Sequence, residues 1–167
     1  YQKLLSTEGH PAQIKQLYIP VTVKNTGGVA GKQTVEIYAT APYITDEEGN
    51  GIQKSYVKLV GFEKTGILLP GRSQTVIVRV DTQDLASFDY NDANGNGFEG
   101  WEMEKGTYTL RAMSCSSVLV SKQQGMYDEA SFSISQDATM RLDNYSDNVS
   151  EPLFSDPNER DYSIREG

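Results

Sequence analysis

The sequence predicts an all-β protein, an antiparallel β-sandwich of about seven short strands. Three observations carry that prediction. Between Leu17 and about Ser135, apolar and polar residues alternate with period two in one short run after another. The runs are separated by clusters of Gly, Asn, Asp and Pro, drawn from 15 Gly and 6 Pro in the chain. No long stretch repeats its apolar residues with the 3.6 period of a helix, and ten Tyr with frequent Val and Thr favour strands. A β-barrel meets the same three conditions and stands as the rival architecture.

The first strand is Leu17–Asn25, where Ile19, Val21 and Val23 alternate with Pro20, Thr22 and Lys24. Pro20 has no N–H to give to a ladder, which places this strand at an edge or gives it a bulge. It stops at Asn25-Thr26-Gly27-Gly28. Gln33–Ala39 follows, closed by Pro42, and then the polar loop Asp46–Gly51. A strand at Tyr56–Glu63 carries Val57, Leu59 and Phe62, and Leu69-Pro70-Gly71 is a turn, with Pro presetting φ and Gly free to take it positive. Ser73–Asp81 is the cleanest strand. Val76, Val78 and Val80 share one face, and Ile77 on the other implies that this second face is only partly exposed. Asp81–Tyr90 reads as one short helical turn capped by Asp81 or Thr82. After an Asn/Asp/Gly-rich loop at Tyr90–Gly100 come Thr107–Ser114 and Ala130–Ser135, the latter presenting Phe132 and Ile134.

A chain of 167 residues suits one domain with an extension. At this size roughly 70% of the unfolded surface is buried on folding, enough for a core without staples. The net charge of −8 argues against nucleic acid or an anionic membrane as partner. No apolar run approaches the ~20 residues that span a bilayer. Cys115 is the single cysteine, which excludes an internal disulfide, and it reads as a small apolar group in a strand. The chain opens at Tyr1 without an initiator Met and so reads as a segment of a longer polypeptide. The sandwich is assigned to residues 1–135. Residues 136–167, with eight acidic and three basic side chains, read as an acidic extension or linker towards a neighbouring domain. Its large apolar residues, Leu142, Tyr145, Leu153, Phe154, Tyr162 and Ile164, follow no period. Two glycosylation-type triplets, beginning at Asn144 and Asn148, lie there too.

Four constellations bear on chemistry. The loop Asp92-Ala93-Asn94-Gly95-Asn96-Gly97 has the first half of a calcium-loop pattern, with oxygen donors at its first, third and fifth positions and glycine at the sixth. A Ca²⁺ ion held there would use Asp92, Asn94, Asn96 and Glu99. The twelfth position, where a bidentate Glu belongs, is Met103, and strands flank the loop in place of helices. A metal-free hairpin loop is therefore the expectation. Glu102 and Glu104 project to one face, and paired carboxylates are the usual tools of glycoside hydrolysis, but these two read as exposed acids on an edge strand. Tyr90, Phe98 and Trp101 cluster beside the same loop and are the candidates for stacking on a sugar ring, against the alternative that Trp101 packs into the sandwich. His10 lacks a partner in any motif, and no nucleophile elbow or phosphate-cradling loop is present, so no catalytic residue and no cofactor are expected. Tyr108, two residues after Gly106 at the head of a strand, is placed to form a tyrosine corner of the immunoglobulin type.

Seven stretches in order carry a family resemblance. They are Val21–Gly27, Ala30-Gly31-Lys32, Val35–Tyr38, Lys58–Lys64, Leu69-Pro70-Gly71, Asp84–Asp89 and Gly106–Leu110. Together they resemble the fibronectin type III-like domain of family 3 glycoside hydrolases, the β-glucosidase and β-xylosidase group. The resemblance implies an accessory module that braces catalytic domains of the same polypeptide, a barrel and an α/β domain, which hold the nucleophile and the acid/base. The generous loops Asp46–Gly51 and Asp92–Gly97 and the acidic extension depart from the family pattern. A carbohydrate-binding module and an adhesive immunoglobulin-like domain of a cell-surface protein are the competing readings.

Overall fold

The computed structural model describes residues 16–140, and the expectations for His10, for the start of the chain and for the extension from residue 141 onwards lie outside them. The described chain runs β1 (Gln16–Lys24), β2 (Thr34–Thr40), β3 (Lys58–Lys64), β4 (Ser73–Asp81), β5 (Ser87–Asp89), β6 (Gly100–Met103), β7 (Gly106–Met113), α1 (Val118–Gln123), β8 (Tyr127–Ile134) and β9 (Ala138–Met140). They form three antiparallel sheets: β1-β4, β3-β2-β7-β8 and β5-β6-β9. The antiparallel sandwich expected from the alternation is what forms.

The first two sheets face each other across the core. Val76, Val78 and Val80 of β4 and Ile19 of β1 pack against Val35, Ile37 and Ala39 of β2, Val60 of β3, and Tyr108, Leu110 and Ala112 of β7. These are the alternate residues of each strand, so period two in the sequence becomes one dry face per sheet. Burying each such aliphatic side chain contributes about 1.5–3 kcal/mol. Gly61 lets the sheets approach. A Cβ at that position would lie 2.6 Å from the Arg79 carbonyl oxygen and 3.1 Å from Val78 Cγ1.

Asn25 explains why the first strand ends where it does. Its backbone N–H donates to Arg72 O at 2.9 Å and its carbonyl accepts from Gly71 N at 2.8 Å. Its side-chain amide donates to Leu68 O at 2.8 Å and Val29 O at 2.9 Å, so one residue ties the β1–β2 turn to the β3–β4 turn. Gly71, at φ +75°, takes the left-handed conformation expected of the Pro70-Gly71 turn. Pro20 lies opposite Ile77 on β1, which pairs with β4 alone, as a proline at an edge requires.

Several details differ from the sequence expectation. Ile77 is 58% exposed, so the outer face of β4 is open. In β3 the buried residue is Val60, while Leu59 and Phe62 are exposed. A register shift between Ile37 and Tyr38, which pair with Gly61 and Leu59, leaves Val60 as the extra residue of a bulge and resets the alternation. Cys115 lies beyond the end of β7, half-buried, in the bend that leads to α1. That helix starts at Ser117, whose hydroxyl accepts from Val120 N at 3.3 Å. The helical turn expected in Asp81–Tyr90 is a 3₁₀ turn at Thr82–Leu85 without a side-chain cap, followed by β5. Ala138–Met140, assigned by composition to the extension, forms β9 and pairs with β6, so the folded unit continues past residue 135.

Candidate functional site

The chemistry-bearing residues converge on the third sheet and the loop joining β5 to β6. The loop is shaped by short-range hydrogen bonds of Asx type. The Asp92 carboxylate accepts from Gly97 N at 3.0 and 3.1 Å, Asn94 Oδ1 from Asn96 N at 3.1 Å, and Asn96 Oδ1 from Phe98 N at 2.9 Å. Asp92 itself sits at φ +49°, a conformation that Asp tolerates better than most residues.

Two buried carboxylates lie beneath this loop. Asp89, 1% exposed, accepts through Oδ1 from Asn91 N at 3.2 Å and Ala93 N at 3.1 Å. Its Oδ2 is buried and has no hydrogen-bond partner. Glu102, fully buried, accepts from Asn94 Nδ2 at 2.8 Å through one oxygen and from Asn96 Nδ2 at 2.5 Å through the other. Burial pushes the Glu102 carboxyl up to about 7, with the Asn96 amide pulling the other way and the charges of Asp89 and Asp137 adding to the rise. Because Ser87 pairs with Glu102 across β5 and β6, Ser87, Asp89 and Glu102 share one face of the sheet.

Glu104, next on that face, is 2% exposed and forms an ion pair with Lys54, which also donates to Pro42 O at 3.0 Å. The two glutamates are thus not exposed acids on an edge. β6 is the central strand of its sheet, Met103 is buried on the opposite face, and both carboxylates are engaged within the fold. Sequence reasoning missed them because charged residues are rarely interior without partners, and Lys54 is fifty positions away. The one available signal was the alternation Trp101-Glu102-Met103-Glu104, in which the large apolar residues take one face and the acids the other.

The aromatic candidates are adjacent but engaged. Trp101 packs on the core, meets the edge of Phe88 at 5.3 Å between ring centroids and has Lys58 Nζ 5.9 Å from its ring centre. Phe98 folds back over Gly100, whose missing Cβ would lie 2.8 Å from the ring, and Tyr90, at the start of the loop, is half-buried. Glu99 is half-buried at the loop end. Among the described residues no three His, Cys, Asp or Glu side chains converge as a metal site. Tyr108 makes the expected corner, its hydroxyl donating to Glu104 O at 3.0 Å.

A family model for the fibronectin type III-like domain matches residues 33–116, from β2 through β7 and into the bend beyond it. The chain belongs to the fibronectin type III-like family. The domain is similar to part of a β-glucosidase of Ruminococcus albus, 37% identical over 110 residues, which covers 66% of this chain and 11% of that protein. β-Glucosidase A of Butyrivibrio fibrisolvens is 38% identical over 88 residues, covering 53% of this chain and 10% of that one. Among solved structures, β-glucosidase 3B of Thermotoga neapolitana in complex with α-D-glucose superposes with a TM-score of 0.55 at 31% identity, over 74% of this chain and 14% of that chain. The fibronectin type III-like module therefore spans about a tenth of the β-glucosidases it resembles, which are of glycoside hydrolase family 3, as the seven sequence stretches imply.

Proposed function

We propose that this fibronectin type III-like domain is a non-catalytic accessory module of a larger β-glucosidase-type glycoside hydrolase, where it braces the catalytic domains of the same polypeptide. The observation that carries the reading is coverage. The similarity to β-glucosidases is confined to about a tenth of their length, and the residues that align here build a sandwich. The geometry of the acids supports a structural role, because Glu102 and Glu104 are spent inside the fold and unavailable to a glycoside. The exposed Tyr56 and Phe62, at 75% and 68%, offer apolar surface to a neighbouring domain.

The test removes residues 16–140 from the full-length polypeptide and follows β-glucosidase activity through a thermal ramp. A lower midpoint of inactivation, with initial activity per folded molecule kept, is the expected result. An unchanged midpoint overturns bracing. In parallel, the 167-residue chain is titrated with cello-oligosaccharides while Trp101, its single tryptophan, reports by fluorescence. A flat response is expected, and a saturable one replaces the bracing role with carbohydrate binding.

A further inference from the structure

From the orphaned oxygen of Asp89 and the buried carboxylate of Glu102, we infer that the layer between the β5–β6 loop and β6 is a Ca²⁺ site, built from Asp89, Glu102, Asn94 and Asn96. Three observations meet there. Asp89 is buried, and of its two oxygens only Oδ1 is satisfied, by amides of the loop above it. Its carboxyl is thereby held under the loop, on the same sheet face as Glu102, with Oδ2 left without a donor. An unpaired buried carboxylate oxygen is costly, and a bound cation is one of the few ways to offset it.

Glu102 is the second observation. It is fully buried and held by two neutral amides, and among the described residues no cation forms an ion pair with it, whereas its neighbour Glu104 has Lys54. Two carboxylates in one dry layer therefore face the loop without an ion-pair partner among the described residues.

The third is the donor chemistry of the loop. Asn94 and Asn96 each donate to Glu102 through the side-chain amide nitrogen, while each carboxamide oxygen, bound to the same carbon, accepts one backbone N–H and keeps a second lone pair. The remaining lone pairs, with the two carboxylates, are hard oxygen donors. Calcium takes six to eight such ligands in irregular geometry, with water completing the set, whereas magnesium demands a near-ideal octahedron. Asp92 is occupied in closing the loop onto Gly97. The donor set thus differs from the one that the calcium-loop pattern predicts: the site lies under the loop, and its acids come from the strands on either side.

The experiment uses the 167-residue chain freed of divalent ions with EDTA, then returned to CaCl₂ or MgCl₂. Calcium should raise the thermal midpoint by roughly 5–10 °C at a concentration about 100 times its dissociation constant, and magnesium should raise it far less. Tb³⁺ should bind competitively with calcium and show luminescence sensitised by Trp101, the residue next to Glu102. Asp89→Asn should weaken calcium at least tenfold, while Asp46→Asn, in the other acidic loop, should leave it unchanged. If Asp89→Asn does not fold, Asn94→Ala serves in its place and should weaken calcium severalfold. No calcium-dependent shift and no binding heat in the wild-type chain would overturn the site. So would an unchanged calcium affinity in the variant that folds, or an equal loss in Asp46→Asn.

Discussion

The Tyr108 hydroxyl donates to the Glu104 carbonyl oxygen at 3.0 Å, tying the start of β7 to the end of β6 within the core. Its ring is 1% exposed and stacks on Phe132 of β8 at 5.4 Å between centroids. One side chain thus fastens the four-stranded sheet to the three-stranded one. Tyr108→Phe keeps the ring and removes the hydroxyl, which leaves a buried carbonyl oxygen without this donor. The expected loss is about 1–3 kcal/mol of unfolding free energy, measured by urea denaturation.

The same phenol sets the response to alkali. Burial, and after it the charges of Glu104, Asp137 and Glu102, raise its ionisation well above the ordinary tyrosine range. A group whose pKa is raised on folding contributes stability that is complete below its unfolded pKa and is lost as pH rises beyond it. The thermal midpoint should therefore fall as pH increases above about 10. In Tyr108→Phe that alkaline slope should be shallower, with Tyr38, also raised, to about 12, supplying part of what remains.

Gly61→Ala tests the close approach of the two sheets. The new methyl would meet the Arg79 carbonyl oxygen at 2.6 Å, a backbone atom that cannot swing aside. A cost on the order of 1–3 kcal/mol is expected from chemical denaturation. Gly66→Ala is the comparison, since its nearest neighbour is the flexible Gln74 side chain at 3.5 Å, and it should stay within about 0.5 kcal/mol of wild type.

Lys54, in the loop before β3, and Glu104, just beyond β6, form a buried ion pair at 8% and 2% side-chain exposure. Lys54→Met strands the glutamate charge and should cost about 3–5 kcal/mol. The double variant Lys54→Met with Glu104→Gln should recover a large part of that loss. Equal stability of the single and double variants would show that the charge of Glu104 is not what the lysine compensates.

How much of this was legible in the sequence follows from what each residue depends on. Ser73–Asp81 was read to the residue, and β1 and β7 to within one, because Val76, Val78, Val80, Tyr108 and Leu110 alternate and turn residues bound them. The strands β5 and β9 are three residues each, too short to show a period, and owe their pairing to β6. In β3 the bulge at Val60 moves the buried position off the expected alternation. For the site, the Asn/Gly loop and its aromatic neighbours were visible, while the burial of Asp89 and Glu102 was not. Burial of an acid is decided largely by chain segments distant in sequence, such as the one that carries Lys54 to Glu104, and its one local trace here is the alternation Trp101-Glu102-Met103-Glu104.

The pairing of β9 with β6 also fixes how the domain carries load. Tension applied to the chain beyond Met140 acts first on three residue pairs, Ala138 with Met103, Thr139 with Glu102 and Met140 with Trp101. Eight pairs join β7 to β8, the next connection inwards. The three-residue ribbon is the weaker seam and gives way first, uncovering one edge of β6 and the buried Glu102 while the main sandwich stays shut. Rupture of this domain is thus graded, and its first step opens the strand that holds the polar layer.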